Sequence, residues 1–321
     1  MMVQPSRGDI ASIDPAAIMR IKNLQLRAKT VVEGFFDGLH RSPMHGSSVE
    51  FSEYRPYTIG DDLRGLDWKR FARSDRLYIK KFEDETNRNC YLVVDQSRSM
   101  GYGSIEYSKI EYARTLAATV AYFLSLQRDC VGVLTFDEAI GEFIPARRRV
   151  GHLHQMLVAL SRPLSGKGTD IDSPLKQIAN LVGRRGLVIM ISDLLTPTES
   201  LRTNLAYLRS RGHEVVILRT LDPAEIDFQL ESPSMVLDME TGREIYLDPE
   251  VAAAQYQEQF AEHRKQLQMV CSSLGVSLHE IVTREPLHDS LFHLLNSQQR
   301  RSRGAARAGM LARSARSGGT S

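Results

Sequence analysis

The sequence predicts an α/β fold: a mostly parallel sheet with helices on both faces, plus a β-hairpin inserted after the fourth strand. Two observations predict it. From Cys90 onward, short apolar runs alternate with longer amphipathic stretches, the pattern of parallel strands joined by helical crossovers. The composition is that of an ordinary globular chain, with 321 residues, 42% apolar and 25% charged, enough for one large core with appendages.

At the N-terminal end, Asp14 before Pro15 reads as a helix cap followed by a first-turn proline. Ile18, Ile21, Leu24, Leu26 and Ala28 then recur at near-helical spacing, so the pattern predicts a helix over 15–30. Residues 31–48, with several Gly and His, are predicted irregular, making 1–48 a leader. Over 49–86, Phe51, Tyr54, Tyr57, Leu63, Leu66, Trp68 and Phe71 are interleaved with dense charge, and 76–82 alternates like a strand.

The main domain is placed at 87–296. Its strands are predicted at 90–94, 130–136, 187–192, 214–220 and 276–281. Ile110, Ala113, Ala117, Val120 and Leu124 mark one face of a long helix, and further helices are predicted at 152–160, 173–182 and 198–211. Residues 236–247, with Glu240, Thr241 and Gly242 at the turn, read as the hairpin, and 249–273 as one long helix. Residues 297–321 carry Arg300, Arg301, Arg303, Arg307, Arg313 and Arg316 with no acidic residue, the composition of a disordered basic tail.

A formal charge of +2 implies no particular partner, and the tail lacks the aromatics that would stack on bases, so nucleic acid is not indicated. Cys90, Cys130 and Cys271 form no CxxC pair, which predicts reduced thiols rather than a disulfide or zinc site. There is no signal-peptide pattern and no apolar run near the roughly 20 residues of a spanning helix. The expectation is a cytoplasmic protein.

The chemistry concentrates at Asp95-x-Ser97-x-Ser99, which closes the apolar run 91–94. In open α/β sheets ligands bind at the carboxyl ends of strands. A carboxylate and two hydroxyls make a hard-oxygen cluster suited to Mg²⁺ or Mn²⁺, which takes about six oxygens. Two later segments are placed to complete it: the loop 166–170, which holds Thr169 and Asp170, and Asp193 at the end of the predicted strand 187–192. Taken singly, each acidic residue also reads as a helix cap.

The order Asp95-x-Ser97-x-Ser99, Thr169, Asp193 resembles the metal-ion-dependent adhesion site of von Willebrand factor A domains. That resemblance implies direct ligation by Ser97 and Ser99, a direct or water-mediated role for Thr169, and Asp95 and Asp193 acting largely through water. A partner's acidic side chain would complete the coordination. The segment 50–68, with Arg55, Asp61, Asp62, Arg64, Asp67 and Trp68, is similar to the hallmark of the bacterial domain-of-unknown-function-58 family. So are Ser192-Asp193-Leu194, 211–215, 221–225 and 237–242. This resemblance implies an adaptor for a MoxR-type AAA ATPase, in a chaperone-like or metal-insertion assembly, and contact with other A-domain proteins. Arg98 departs from the usual pattern by placing a cation between the two serines. The charged residues around Trp68 read either as a partner surface or as an ion-paired brace.

Other classes fit less well. An aspartyl-phosphate enzyme would want a carboxylate where Ser97 stands, and no Gly-x-Ser-x-Gly elbow surrounds either serine. His152 and His154 diverge on a helix and read as surface residues. Gly101-x-Gly103 lacks the third glycine of a dinucleotide loop. A metal-dependent hydrolase and a metal-free scaffold remain the alternatives to a metal-dependent interaction module.

Overall fold

The computed structural model describes residues 14–41, 53–56, 78–81, 89–163, 172–182, 185–228, 234–237, 244–247 and 249–292. The chain divides into two units, residues 1–10 with 37–87 and residues 11–36 with 88–321. In the first, strand β1 (Glu53–Pro56) pairs antiparallel with β2 (Tyr78–Lys81), Arg55 opposite Ile79. Asp61, Asp62, Arg64, Asp67, Trp68 and residues 297–321 lie outside the described residues.

The second unit is built on a six-stranded sheet. Its strands are β3 (Asn89–Asp95), β4 (Cys130–Phe136), β5 (Ile140–Arg147), β6 (Gly186–Ser192), β7 (Glu214–Leu221) and β10 (Ser277–Val282), in the order β10-β7-β6-β3-β4-β5. All pairings are parallel except β4 with β5. The expected fold class is therefore the observed one. The periodicity does not single out β5, a half-buried edge strand that contains Pro145, a residue sheets accept mainly at edges because it cannot donate to a ladder.

The helices are α1 (Pro15–Met19), α2 (Leu24–Arg41), α3 (Lys109–Leu126), α4 (His152–Leu160), α5 (Asp172–Leu181), α6 (Thr198–Ser210), α7 (Pro223–Asp227) and α8 (Pro249–Ser273). Side chains alternate across β3. Tyr91 and Val93 join a core with Leu175 and Ile178 of α5, Leu201 and Leu205 of α6, and Leu267 and Cys271 of α8. Leu92 and Val94 face the other way, where α3 lies along β3, β4, β6 and β7 and buries Ile110, Ala113, Leu116, Ala117 and Val120. Strands β8 (Ser234–Leu237) and β9 (Glu244–Leu247) form the expected antiparallel hairpin.

Two expectations are corrected. The leading helix is broken at 20–23, and the part predicted irregular from 31 continues as α2 to Arg41. Asn23 caps the restart, accepting from the Leu26 amide at 3.0 Å, and Arg27 folds back onto the carbonyls of Met19 and Ile21, both at 2.5 Å. Gly34 is tolerated because Ala28, Val31, Val32 and Phe35 form a buried stripe at helical spacing, with Phe35 edge-on to Phe123 and Phe292. His152 is not a surface residue: it is buried, with Nε2 2.8 Å from the Val131 carbonyl oxygen, whereas His154 is exposed.

Cys90, Cys130 and Cys271 form no disulfide; Cys90 and Cys271 are buried and Cys130 is partly so. Burial pushes the Cys271 thiol up to about 11. Among the described residues no helix is long and apolar enough to cross a membrane.

Gly186 opens β6 opposite Asn89, and a Cβ there would run into the Asn89 carbonyl oxygen. The strands meet too closely for any side chain at that point. Gly186→Ala is expected to lower stability by about 1–3 kcal/mol through overpacking, read as a fall in the urea midpoint with an unchanged slope; an unchanged midpoint would contradict it.

Candidate functional site

The chain runs outward from β3 to β4 and β5, then crosses back to β6 on the other side of β3. This reversal makes the gap between the carboxyl ends of β3 and β6 the topological switch point, where open α/β sheets bind ligands. β3 ends in Asp95, and β6 ends in Ser192 with Asp193 next. The two ends are tied together: the Ser192 hydroxyl donates to Asp95 Oδ2 at 2.6 Å. Asp95 Oδ1 accepts from the Ser97 amide at 2.8 Å.

The backbone after Ser97 winds into a short 3₁₀ turn (Arg98–Gly101). Ser97 and Ser99 are buried, and their hydroxyl oxygens lie 3.0 Å apart. Arg98 between them is exposed, so its guanidinium leaves the cluster. The structure thus brings Asp95, Ser97, Ser99 and Asp193 to one sheet edge. Thr169 lies outside the described residues.

Asp95 is not at the margin of the core, as a strand-end position alone suggests; it is fully buried. Burial, together with the charge of Asp193, pushes its carboxyl up to about 7 against the hydrogen bonds from Ser192 and Ser97. Asp193 is also fully buried and precedes Leu194, a buried non-glycine residue at φ 56°. Strained conformations of this kind persist where the surroundings hold them, often at functional sites. Here the Leu194 amide donates to Ser192 Oγ at 3.0 Å, and its carbonyl oxygen accepts from Thr196 and lies 3.1 Å from His263 Nε2.

Several residues at this edge escape a reading by motif. Lys109, the first residue of α3, is buried and places Nζ 2.8 Å from Asp193 Oδ2 and 2.5 Å from Glu225 Oε1. Burial opposes its charge, but the two carboxylates outweigh burial and move its pKa up. Asp222 caps α7 in a capping box with Glu225. It also accepts from the Ser104 amide at 2.9 Å and from the Ser104 hydroxyl, tying the loop after the serines to the end of β7. Arg219 on β7 is fully buried, donating from Nε to the Asp193 carbonyl oxygen at 3.1 Å and pairing with Glu280 at 3.1 Å. One sequence signal for Lys109 exists: a lysine in the first turn of a helix opposes the macrodipole, so a buried one there must have anionic partners.

The side chains gathered here, two carboxylates and two hydroxyls, are hard-oxygen donors, and among the described residues no three His, Cys, Asp or Glu side chains are grouped so as to hold a metal ion. Asp95, Asp193, Asp222 and Glu225 put four carboxylates around these strand ends, with Lys109 the ammonium among them, while Arg219 is balanced by Glu280. Asp193 and Glu225 share one ammonium in a place that water screens poorly, and burial pushes the Asp95 and Glu225 carboxyls toward their neutral forms.

A doubly wound α/β sheet thus carries Asp-x-Ser-x-Ser at its switch point. The family model described as "Protein of unknown function DUF58" matches residues 53–266, and the chain belongs to that family. An uncharacterized protein of Mycobacterium tuberculosis is 29% identical over 248 residues, covering 76% of this chain and 77% of the relative, and an uncharacterized protein of Mycobacterium bovis matches to the same degree. Among solved structures, the conserved hypothetical protein BatB from Bacteroides thetaiotaomicron is similar at 16% identity and a TM-score of 0.44, covering 66% of this chain and 99% of that one. The SpRpn10 VWA domain is similar at 13% identity and a TM-score of 0.39, covering 63% and 92%.

Proposed function

We propose that this chain is a metal-dependent protein-interaction module rather than an enzyme. In this reading Asp95, Ser97, Ser99, Thr169 and Asp193 hold Mg²⁺ or Mn²⁺, and an acidic side chain of the partner completes the coordination. The partner class is a MoxR-type AAA ATPase, for which the chain serves as adaptor. The ion supplies a Lewis-acidic anchor for the partner's carboxylate; the chain's residues position and desolvate that anchor. The observation that carries the reading is the meeting of two buried carboxylates and two buried hydroxyls at the switch point.

A metal-free scaffold is the second reading, favoured by one specific observation. Both oxygens of Asp95 already accept protein hydrogen bonds, and Asp193 accepts from Lys109. Affinity capture with the full chain as bait separates the two, using a lysate of its native host in Mg²⁺ and in EDTA. Recovery of an AAA ATPase in Mg²⁺, falling at least about tenfold in EDTA, is the expected result. Equal recovery in both buffers would favour the scaffold.

A further inference from the structure

Lys109 has no part in the adhesion-type motif, yet its Nζ lies 2.8 Å from Asp193 Oδ2. Its side chain is 1% exposed and its two charged partners are Asp193, 0% exposed, and Glu225, 15% exposed. The Tyr102 ring centroid is 6.0 Å from its Nζ. Its backbone amide donates to the Tyr102 carbonyl oxygen at 2.9 Å, fixing the loop that follows the serines to the start of α3. A capping box of Ser108 and Glu111 holds that first turn. Glu225 is held in turn by the Asp222 amide at 2.8 Å. The ammonium therefore sits on a rigid mount between two fixed carboxylates.

We infer that Lys109 is a built-in counter-cation that competes with the divalent ion for Asp193, keeping the site formed without metal and its intrinsic metal affinity low. This inference rests on the metal-binding reading of the same site. Two cations drawing on one buried carboxylate weaken each other, because their mutual repulsion is poorly screened there. Glu225 is the second arm of the device: it offers the ammonium an alternative partner, and so reduces its hold on Asp193. The consequence for function is that metal is retained when a partner's carboxylate adds the negative charge that Lys109 offsets, which couples metal binding to partner binding.

The test is calorimetric titration of the full chain with Mn²⁺, alongside the thermal shift that Mn²⁺ induces. Lys109→Gln is expected to bind Mn²⁺ at least about tenfold more tightly than wild type, with a lower melting temperature in EDTA and a larger Mn²⁺-induced rise. Glu225→Gln is expected to bind more weakly by about threefold or more, because the ammonium is left to Asp193 alone. Asp227→Asn removes an exposed carboxylate of α7 that pairs with Arg284 and not with Lys109, and is expected to stay within about twofold of wild type.

Wild-type affinity or weaker in Lys109→Gln, with wild type binding Mn²⁺, overturns the inference and leaves the metal site standing. Equal weakening by Glu225→Gln and Asp227→Asn overturns it as well, since the effect is then a general field. Absence of Mn²⁺ binding in every protein overturns both the inference and the metal reading. If Lys109→Gln does not fold, Glu225→Gln against Asp227→Asn decides: selective weakening supports the counter-cation, and an unchanged Glu225→Gln overturns it.

Discussion

Asp95→Asn is expected to lower Mn²⁺ affinity by at least about 100-fold while leaving the metal-free fold intact. Asparagine keeps the shape and an acceptor oxygen for the Ser97 amide or the Ser192 hydroxyl, and removes the charge that a cation needs. Alanine is the poorer variant, because it leaves both donors buried without an acceptor, a loss of about 1–3 kcal/mol each. The same substitution carries a pH signature. The Asp95 carboxyl lies at about 7 in the folded chain against 3.8 ordinarily, so between those values the folded state holds a proton that the unfolded state has released. Stability of the metal-free wild type therefore falls as pH rises from about 4 through about 7, by on the order of 2–4 kcal/mol. Asp95→Asn should lack that fall. Urea midpoints in EDTA across this range check it, and parallel profiles for the two proteins would refute it.

Arg219→Ala is expected to lower stability by about 3–5 kcal/mol, the range for breaking a buried ion pair and removing its packing. The guanidinium is fully buried, bonds the Asp193 carbonyl oxygen, pairs with Glu280 and lies 5.2 Å from the centroid of Phe260. Its removal frees the backbone that sets Asp193 as well as leaving a cavity, so Mn²⁺ affinity should fall with stability. Chemical denaturation measures the first effect. A loss below about 1 kcal/mol would mean that the pair only offsets its own desolvation.

Much of this architecture is legible in the residues. The runs that became β3, β4, β6 and β7 are continuous apolar stretches, as strands covered on both faces must be, and Ile110, Ala113, Ala117, Val120 and Leu124 mark the buried face of α3. β5 is less legible because an edge strand is only half buried and its pattern is diluted. The continuation of α2 was obscured by local signals, Gly34 and Gly38, that tertiary burial of Val31, Val32 and Phe35 overrides. His152 misled in the same way: its polarity suggests the surface, while a single acceptor on β4 draws it inside.

At the site, the sequence by itself determined the chemistry of the first contacts: Asp95, Ser97 and Ser99 are adjacent in the chain, and a strand end presents them together whatever surrounds it. Asp193 was legible as a candidate because a second strand end carries it. Only the tertiary structure decided that Ser192 bridges to Asp95, that both carboxylates are fully buried, and that Lys109 and Glu225, 116 residues apart, meet beside Asp193. The physical reason is range. Caps, turns and periodicity are set by neighbours within a few residues, whereas the charge balance of a buried cluster depends on which distant side chains the sheet topology delivers to the same strand ends, and on the water that their packing excludes.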